Sequence, residues 1–208
     1  MSGIAIVDYG LGNLGSVANM LKKIGVPAKV TSDAAELRAA RALVLPGVGH
    51  FDTGMRNLVA SGLKAVLDEL VLQAKVPVLG ICLGMQLMAR RSDEGSEPGL
   101  GWIAADVKRF DFPAGTRLAV PHMGWNELEP RDEALFRGLE AAPRFYFVHS
   151  YHLVCDAERD VAGWATYGYR FAAAVHQGSI YGTQFHPEKS HRFGMTVLKN
   201  FAEAAGAA

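Results

Sequence analysis

Val76-Pro77-Val78-Leu79-Gly80-Ile81-Cys82-Leu83-Gly84-Met85-Gln86-Leu87-Met88-Ala89-Arg90 runs from an apolar stretch, through a turn centred on a cysteine, into a helix-like stretch. A nucleophile in a strand-to-helix turn, with a glycine two residues to either side, is the nucleophile-elbow pattern. Such a turn strains its central residue and brings the flanking backbone so close that a Cβ at either glycine would crowd it. The thiol then stands exposed at the carboxyl end of a strand, where open α/β sheets bind ligands. The helix that follows offers unpaired N–H groups and the positive end of its dipole, which favour thiolate over thiol.

Working outward, the first half reads as alternating strands and helices. An apolar run at 4–8 is followed by Val17, Met20, Leu21 and Ile24 on one helical face, stopped by Gly25 and Pro27. Strand patterns follow at 28–31 and 42–45, with a capping-box signal at Asp33 and Glu36 between them. After a loop, Leu63, Val66, Leu67 and Leu70 form a second helical stripe, and 76–81 returns as a strand. This succession predicts an α/β fold: a mostly parallel central sheet flanked by helices. The second half changes character, with strands at 102–110, 145–148, 163–167 and 171–176, the last joined through Gln177-Gly178 to 179–185 as a hairpin. These predict extra antiparallel strands. Ser190 is placed to cap a closing helix carrying Phe193, Val197 and Phe201. The segment 93–99, rich in charge and glycine, reads as a mobile surface loop.

The 208 residues are half hydrophobic, enough for one substantial core and few for two, so a single domain over 1–208 is expected. Lys and Arg balance Asp and Glu at 21 each, and no basic block occurs, which argues against nucleic acid or a membrane surface as partner. The start shows no signal peptide, and two distant cysteines make no disulfide framework, so a cytoplasmic, reducing setting is expected.

A cysteine nucleophile needs a base, and the base needs an orienting group. Gln184-Phe185-His186-Pro187-Glu188-Lys189-Ser190 supplies both types. If His186 ends a strand, His186 and Glu188 project to one side, and Glu188 can fix the imidazole tautomer. His149, His152, His186 and His191 show no paired zinc spacing, and Cys155 has no cysteine neighbour, so no metal is expected. Nor do the residues call for any other cofactor.

Taken together, the two segments resemble the class I, triad-type glutamine amidotransferases, whose elbow reads Gly-x-Cys-x-Gly and whose base segment reads His-Pro-Glu. Further segments resemble one branch, the glutaminase subunit of imidazole glycerol phosphate synthase. They are Asp8-Tyr9-Gly10-Leu11-Gly12-Asn13, Pro46-Gly47-Val48-Gly49, Pro121-His122-Met123-Gly124-Trp125-Asn126 and Phe147-Val148-His149-Ser150-Tyr151. The resemblance covers 4–201. It implies hydrolysis of glutamine by Cys82, His186 and Glu188, with the ammonia passed to a (β/α)8-barrel cyclase in histidine biosynthesis.

The oxyanion of that reaction needs two N–H donors. Elbow geometry supplies Leu83, and the resemblance points to Val48 or Gly49 for the other. The residues of 46–49 taken alone leave a phosphate cradle or a plain turn open. By resemblance Gly47, Gln86, Ser150 and Tyr151 meet the substrate, although Gln86 reads equally as a helix-surface residue. Asn13 and Trp125 are the candidates for docking the cyclase, set against a turn asparagine and a core tryptophan. Rival functions are the glutaminase of another synthase (vitamin B6, purine or folate), a stand-alone cysteine hydrolase of similar fold, and a regulatory subunit without catalysis.

Overall fold

The structure is a computed structural model and describes residues 3–207. Strands β1 (Ile4–Val7), β2 (Ala28–Thr31), β3 (Ala42–Gly47) and β4 (Val78–Cys82) pair in parallel in the order β2-β1-β3-β4. Helices α1 (Leu14–Lys23), α2 (Ala34–Arg38), α3 (Phe51–Ala60) and α4 (Leu63–Asp68) connect them, α4 running on through a wider turn at Glu69–Gln73. Every residue of β1, β3 and β4 is buried, as expected of strands covered on both faces. The strand alternation sorts them: Ala5, Val7, Leu43, Leu45 and Val78 face a core shared with Leu37, Phe51, Leu58 and Leu67. Ile4, Ile6, Ala42, Val44, Leu79 and Ile81 face the opposite core.

Beyond β4 the elbow leads into α5 (Leu83–Leu87) and then into β5 (Ala105–Arg109), β6 (His122–Glu127) and β7 (Glu129–Pro130). Helix α6 (Glu133–Phe136), β8 (Arg144–His149), β9 (Tyr151–Cys155), β10 (Val161–Tyr167), β11 (Tyr169–Gln177) and β12 (Ile180–Thr183) follow. The closing helix α7 (His191–Ala204) packs Val197, Leu198 and Phe201 beside Val17 and Leu21 of α1. β12 returns parallel to β4, while β11, β10 and β7 extend the sheet antiparallel, and β5 and β9 branch from it. β6 and β8 form a separate two-stranded sheet. The expected mostly parallel sheet with antiparallel additions is therefore present.

Several local expectations need correction. Helix α3 stands where the sequence pattern predicts a loop: its stripe of Phe51, Met55 and Leu58 is interrupted by Gly54, where a Cβ would lie 3.0 Å from Leu87 Cδ1. The glycine serves close helix packing there. The strand expected at 102–110 begins only at Ala105, because Gly101 takes φ +68° and Trp102 turns inward to donate Nε1–H to Asp68 Oδ1 at 2.8 Å. Ser190 makes no capping bond to α7. Its hydroxyl donates to His186 O at 2.7 Å and accepts from Tyr146 N at 3.0 Å.

Nor is 93–99 a free loop. Asp52 accepts from Ser96 N and Glu97 N, both at 3.0 Å, and Glu94 Oε2 accepts from Phe51 N at 2.8 Å. Those Glu97 and Ser96 amides hold the Asp52 carboxyl below its ordinary value.

Candidate active site

Cys82 ends β4 with φ +54° and ψ −110°, a conformation that a non-glycine residue adopts only under strain. Its flanking glycines explain how the turn closes. A Cβ on Gly84 would come within 1.7 Å of Leu45 O, and one on Gly80 within 2.7 Å of Met85 N. The elbow thus depends on α5 lying directly on the backbone of β3. In place of the exposed thiol expected of the elbow, Cys82 is buried at 7 % exposure, because Gln184 packs against it with Nε2–H pointing at Sγ from 3.7 Å.

β12 ends at Thr183, beside Ile81, so the chain crosses over the end of β4 immediately before His186. His186 is fixed through its backbone: its N–H donates to Tyr146 O at 2.9 Å and its carbonyl accepts from Ser190 Oγ. Its Nδ1 lies 2.8 Å from Glu188 Oε1, with the two side chains 2 % and 1 % exposed. A carboxylate only accepts, so Nδ1 carries the proton and Nε2 is left for proton traffic. Among the described residues Nε2 is buried without a hydrogen-bond partner. The expected contact is present, but a tight turn at Pro187–Lys189 makes it, in place of the predicted strand end. Burial lowers the His186 pKa, and the Cys82 sulfur and the Glu188 carboxylate together overcome this and hold it up at about 9.

A cavity of about 270 Å³ opens over these groups. Cys82, His186, Leu83, Val48, Gly49, Gln86, Ser150 and Tyr151 all line it. Gly47 does not: it pairs with Cys82 across β3 and β4 and sits behind the elbow, where a Cβ would lie 2.7 Å from Gly84 N. Gln86 is not on the helix surface. It is 5 % exposed, and its Nε2 donates to Tyr151 O and to Gln184 Oε1, each at 3.0 Å. Gly49 takes φ +116°, and the Val48 side chain is half exposed.

Sequence reading missed Glu94, Gln184, His149 and Lys189 as members of this neighbourhood. Glu94, His149 and Lys189 line the cavity, and Gln184 braces Cys82 and Gln86 from beneath. For Gln184 and Lys189 the signal was their place in the His186 segment. Glu94 had none, since only the fold carries it to the elbow.

His149 Nδ1 lies 2.8 Å from Tyr151 O and its Nε2 3.0 Å from His122 Nδ1, so both rings are neutral and donate in one direction. Burial, only partly offset by the Tyr151 carbonyl, pushes His149 well below its ordinary value, and burial lowers His122 to about 4. Burial first, then Asp160 and Asp156, push the Cys155 thiol up to about 12. Among the described residues no cluster of histidine, cysteine and carboxylate could hold a metal ion, and no helix is long and apolar enough to cross a membrane.

Of the two docking candidates, Trp125 is 41 % exposed on β6 and stacks on His191 with ring centroids 5.4 Å apart. Asn13 precedes α1 with no capping bond from its side chain, and α1 packs against the Pro187–Lys189 turn.

Comparison with known proteins agrees with this geometry. A protein from Bdellovibrio bacteriovorus named imidazole glycerol phosphate synthase subunit HisH is 50% identical over 202 residues, covering 96% of this chain and 99% of its own. One of the same name from Moorella thermoacetica is 50% identical over 205 residues, covering 98% and 95%. A crystal structure described as a glutamine amidotransferase superposes with TM-score 0.76 at 23% identity over 98% of this chain and all of that one. Residues 5–205 match the family described as glutamine amidotransferase class-I. A cysteine on a strained elbow, a carboxylate-backed histidine beside it and these matches lead to one conclusion: the chain belongs to the class-I glutamine amidotransferase family.

Proposed function

We propose that the chain is the glutaminase subunit of an imidazole glycerol phosphate synthase, one amidotransferase domain acting in histidine biosynthesis. The observation that carries the chemistry is the unpartnered Nε2 of His186, backed by Glu188 and lining one cavity with Cys82. The subunit assignment rests on the relatives of that name, matched over nearly the whole chain.

In this reading His186 holds the Cys82 proton on Nε2, and the resulting thiolate attacks the side-chain amide carbon of glutamine. The Leu83 N–H and an N–H of Val48 or Gly49 hold the oxyanion. His186 then gives its proton to the leaving nitrogen, ammonia departs, and a glutamyl thioester remains. Water, deprotonated by His186, cleaves the thioester and regenerates the thiol, while Glu188 keeps the imidazole oriented throughout. Backbone groups at Ser150 and Tyr151 suit the substrate carboxylate, and the Glu94 carboxylate at the cavity wall suits its ammonium.

Ammonia released into water is protonated and lost as a nucleophile, so a shielded acceptor is needed. The proposed partner is a (β/α)8-barrel cyclase that adds it to a nucleotide, forming imidazole glycerol phosphate and an aminoimidazole carboxamide ribotide. Asn13 and Trp125 would lie on the docking face, and a reducing cytoplasm would keep Cys82 competent.

The test is glutamate release from glutamine by the purified chain, alone and with the cyclase, with and without the cyclase's nucleotide. Release that requires the cyclase and disappears in Cys82→Ala supports the reading. Release indifferent to the cyclase assigns the chain to another synthase, and no release under any condition removes the glutaminase.

A further inference from the structure

Tyr9 is a buried phenol that nothing described so far uses. It follows β1, is 4 % exposed, and its hydroxyl has no hydrogen-bond partner among the described residues. A buried hydroxyl left unpaired is destabilising, so its persistence asks for a reason. Burial, followed by the nearby Cys82 charge, raises the phenol's pKa, so it remains a donor at every working pH.

Its position supplies the reason. A Cβ on Gly47 would lie 2.6 Å from the Tyr9 oxygen, so only glycine lets this hydroxyl rest against the backbone there. Gly47 is the last residue of β3, directly beside Cys82, and the next two residues, Val48 and Gly49, line the catalytic cavity. Tyr9 itself does not line it and sits behind the strand end. A peptide plane carries its N–H and C=O on opposite sides. Turning the N–H of Val48 toward the cavity therefore turns the carbonyl of Gly47 away from it, with the Tyr9 hydroxyl close at hand beside Gly47.

We propose that Tyr9 is a positioning residue for glutamine hydrolysis, its hydroxyl donating to the Gly47 carbonyl when the Val48 N–H points at the oxyanion. The proposal rests on the glutaminase reading above. It makes Tyr9 act through the peptide alone, with no contact to substrate or sulfur.

The experiment is Tyr9→Phe in the full chain, assayed with the cyclase and its nucleotide. Four readouts are taken: kcat, KM, the rate of Cys82 alkylation by iodoacetamide, and the thermal midpoint. Iodoacetamide reacts by displacement at a saturated carbon and needs no oxyanion donor. The expected result is a kcat lower by about tenfold or more, with KM and alkylation unchanged. The midpoint should be unchanged or higher, since an unpaired hydroxyl has been removed. An unchanged kcat overturns the proposal and leaves Tyr9 a packing residue. A kcat that falls together with alkylation rate and midpoint also overturns it, as general disturbance of the elbow. A wild type inactive under all conditions removes the glutaminase reading and this proposal with it.

Discussion

His186 and Glu188 meet within one tight turn, Nδ1 to Oε1 at 2.8 Å, with both side chains sealed from solvent and Pro187 between them. The carboxylate orients the ring and stabilises its charged form, together with the Cys82 sulfur holding the imidazole at about 9. Glu188→Gln removes that charge while keeping the size, and an amide can present its NH₂ to Nδ1 and select the wrong tautomer. The expected outcome is a kcat lower by about 10²–10⁴. NMR titration of His186 should show its pKa moving down from about 9. A His186 titration unchanged in this variant would mean that Glu188 does not set the ring's charge.

Three buried histidines predict an acid-sensitive core. His122, His149 and His152 have pKa values lowered chiefly by burial, so the native state holds them neutral. The charged groups acting on them are His186 on His149 and Asp93 on His152, besides the His122–His149 and His149–His152 couplings. Below about 6.5 the unfolded chain takes up protons that the folded chain refuses. Their contribution is therefore present above that pH and is lost as pH falls below it, for His122 as pH falls toward about 4. His122 adds a slope of up to about 1.4 kcal/mol per pH unit inside that window. His186 has the opposite sign: its contribution is present below its unfolded pKa and is lost as pH rises through about 9. Urea midpoints at pH 7, 6 and 5 should fall steeply in the wild type and less so in His122→Gln. Equal slopes in the two proteins would discount His122.

The elbow glycine on the helix side, Gly84, should be intolerant of any side chain. A Cβ at Gly84 meets Leu45 O at 1.7 Å, and its other near neighbours are backbone of Leu45 and Pro46, so nothing flexible can yield. Gly84→Ala should destabilise the chain by about 1–3 kcal/mol or more and displace Cys82. Thermal unfolding and iodoacetamide labelling would both register it. A midpoint within a degree of wild type would mean that the elbow can be rebuilt.

Local patterns were legible in the sequence where a contact spans few residues. The glycines around Cys82 and the spacing of His186 to Glu188 each lie within one turn, so residue types alone imply the geometry. The contact between His186 and Glu188 was anticipated even though its backbone is a turn and not a strand end. β6 and β9 went unread: β6 alternates a buried His122 with exposed Met123 and half-buried Gly124, too polar a run to announce a strand. The burial of Gln86 was equally hidden, because Tyr151 and Gln184, its two hydrogen-bond partners, arrive from distant parts of the chain. Glu94 reaches the cavity only because the amides at 96 and 97 are tied to Asp52 of α3, the helix that its own Gly54 concealed.

Trp125 should carry binding energy without carrying the fold. It projects from β6 beside Met123, which is 62 % exposed, and lies flat on His191 with the rings inclined by 8°. A stacked aromatic held rigid at an apolar surface loses little freedom on docking, which is why tryptophan is frequent at interface centres. Because it is already 41 % exposed and lies outside both cores, its truncation removes surface packing on His191 and Tyr146 and no core contact. Trp125→Ala should therefore leave the thermal midpoint within a few degrees of wild type while weakening association with the barrel cyclase by about tenfold or more. Titration calorimetry measures this directly. Undiminished affinity would take Trp125 out of the docking face, whereas a lost affinity accompanied by unfolding would show that the tryptophan belongs to the core after all.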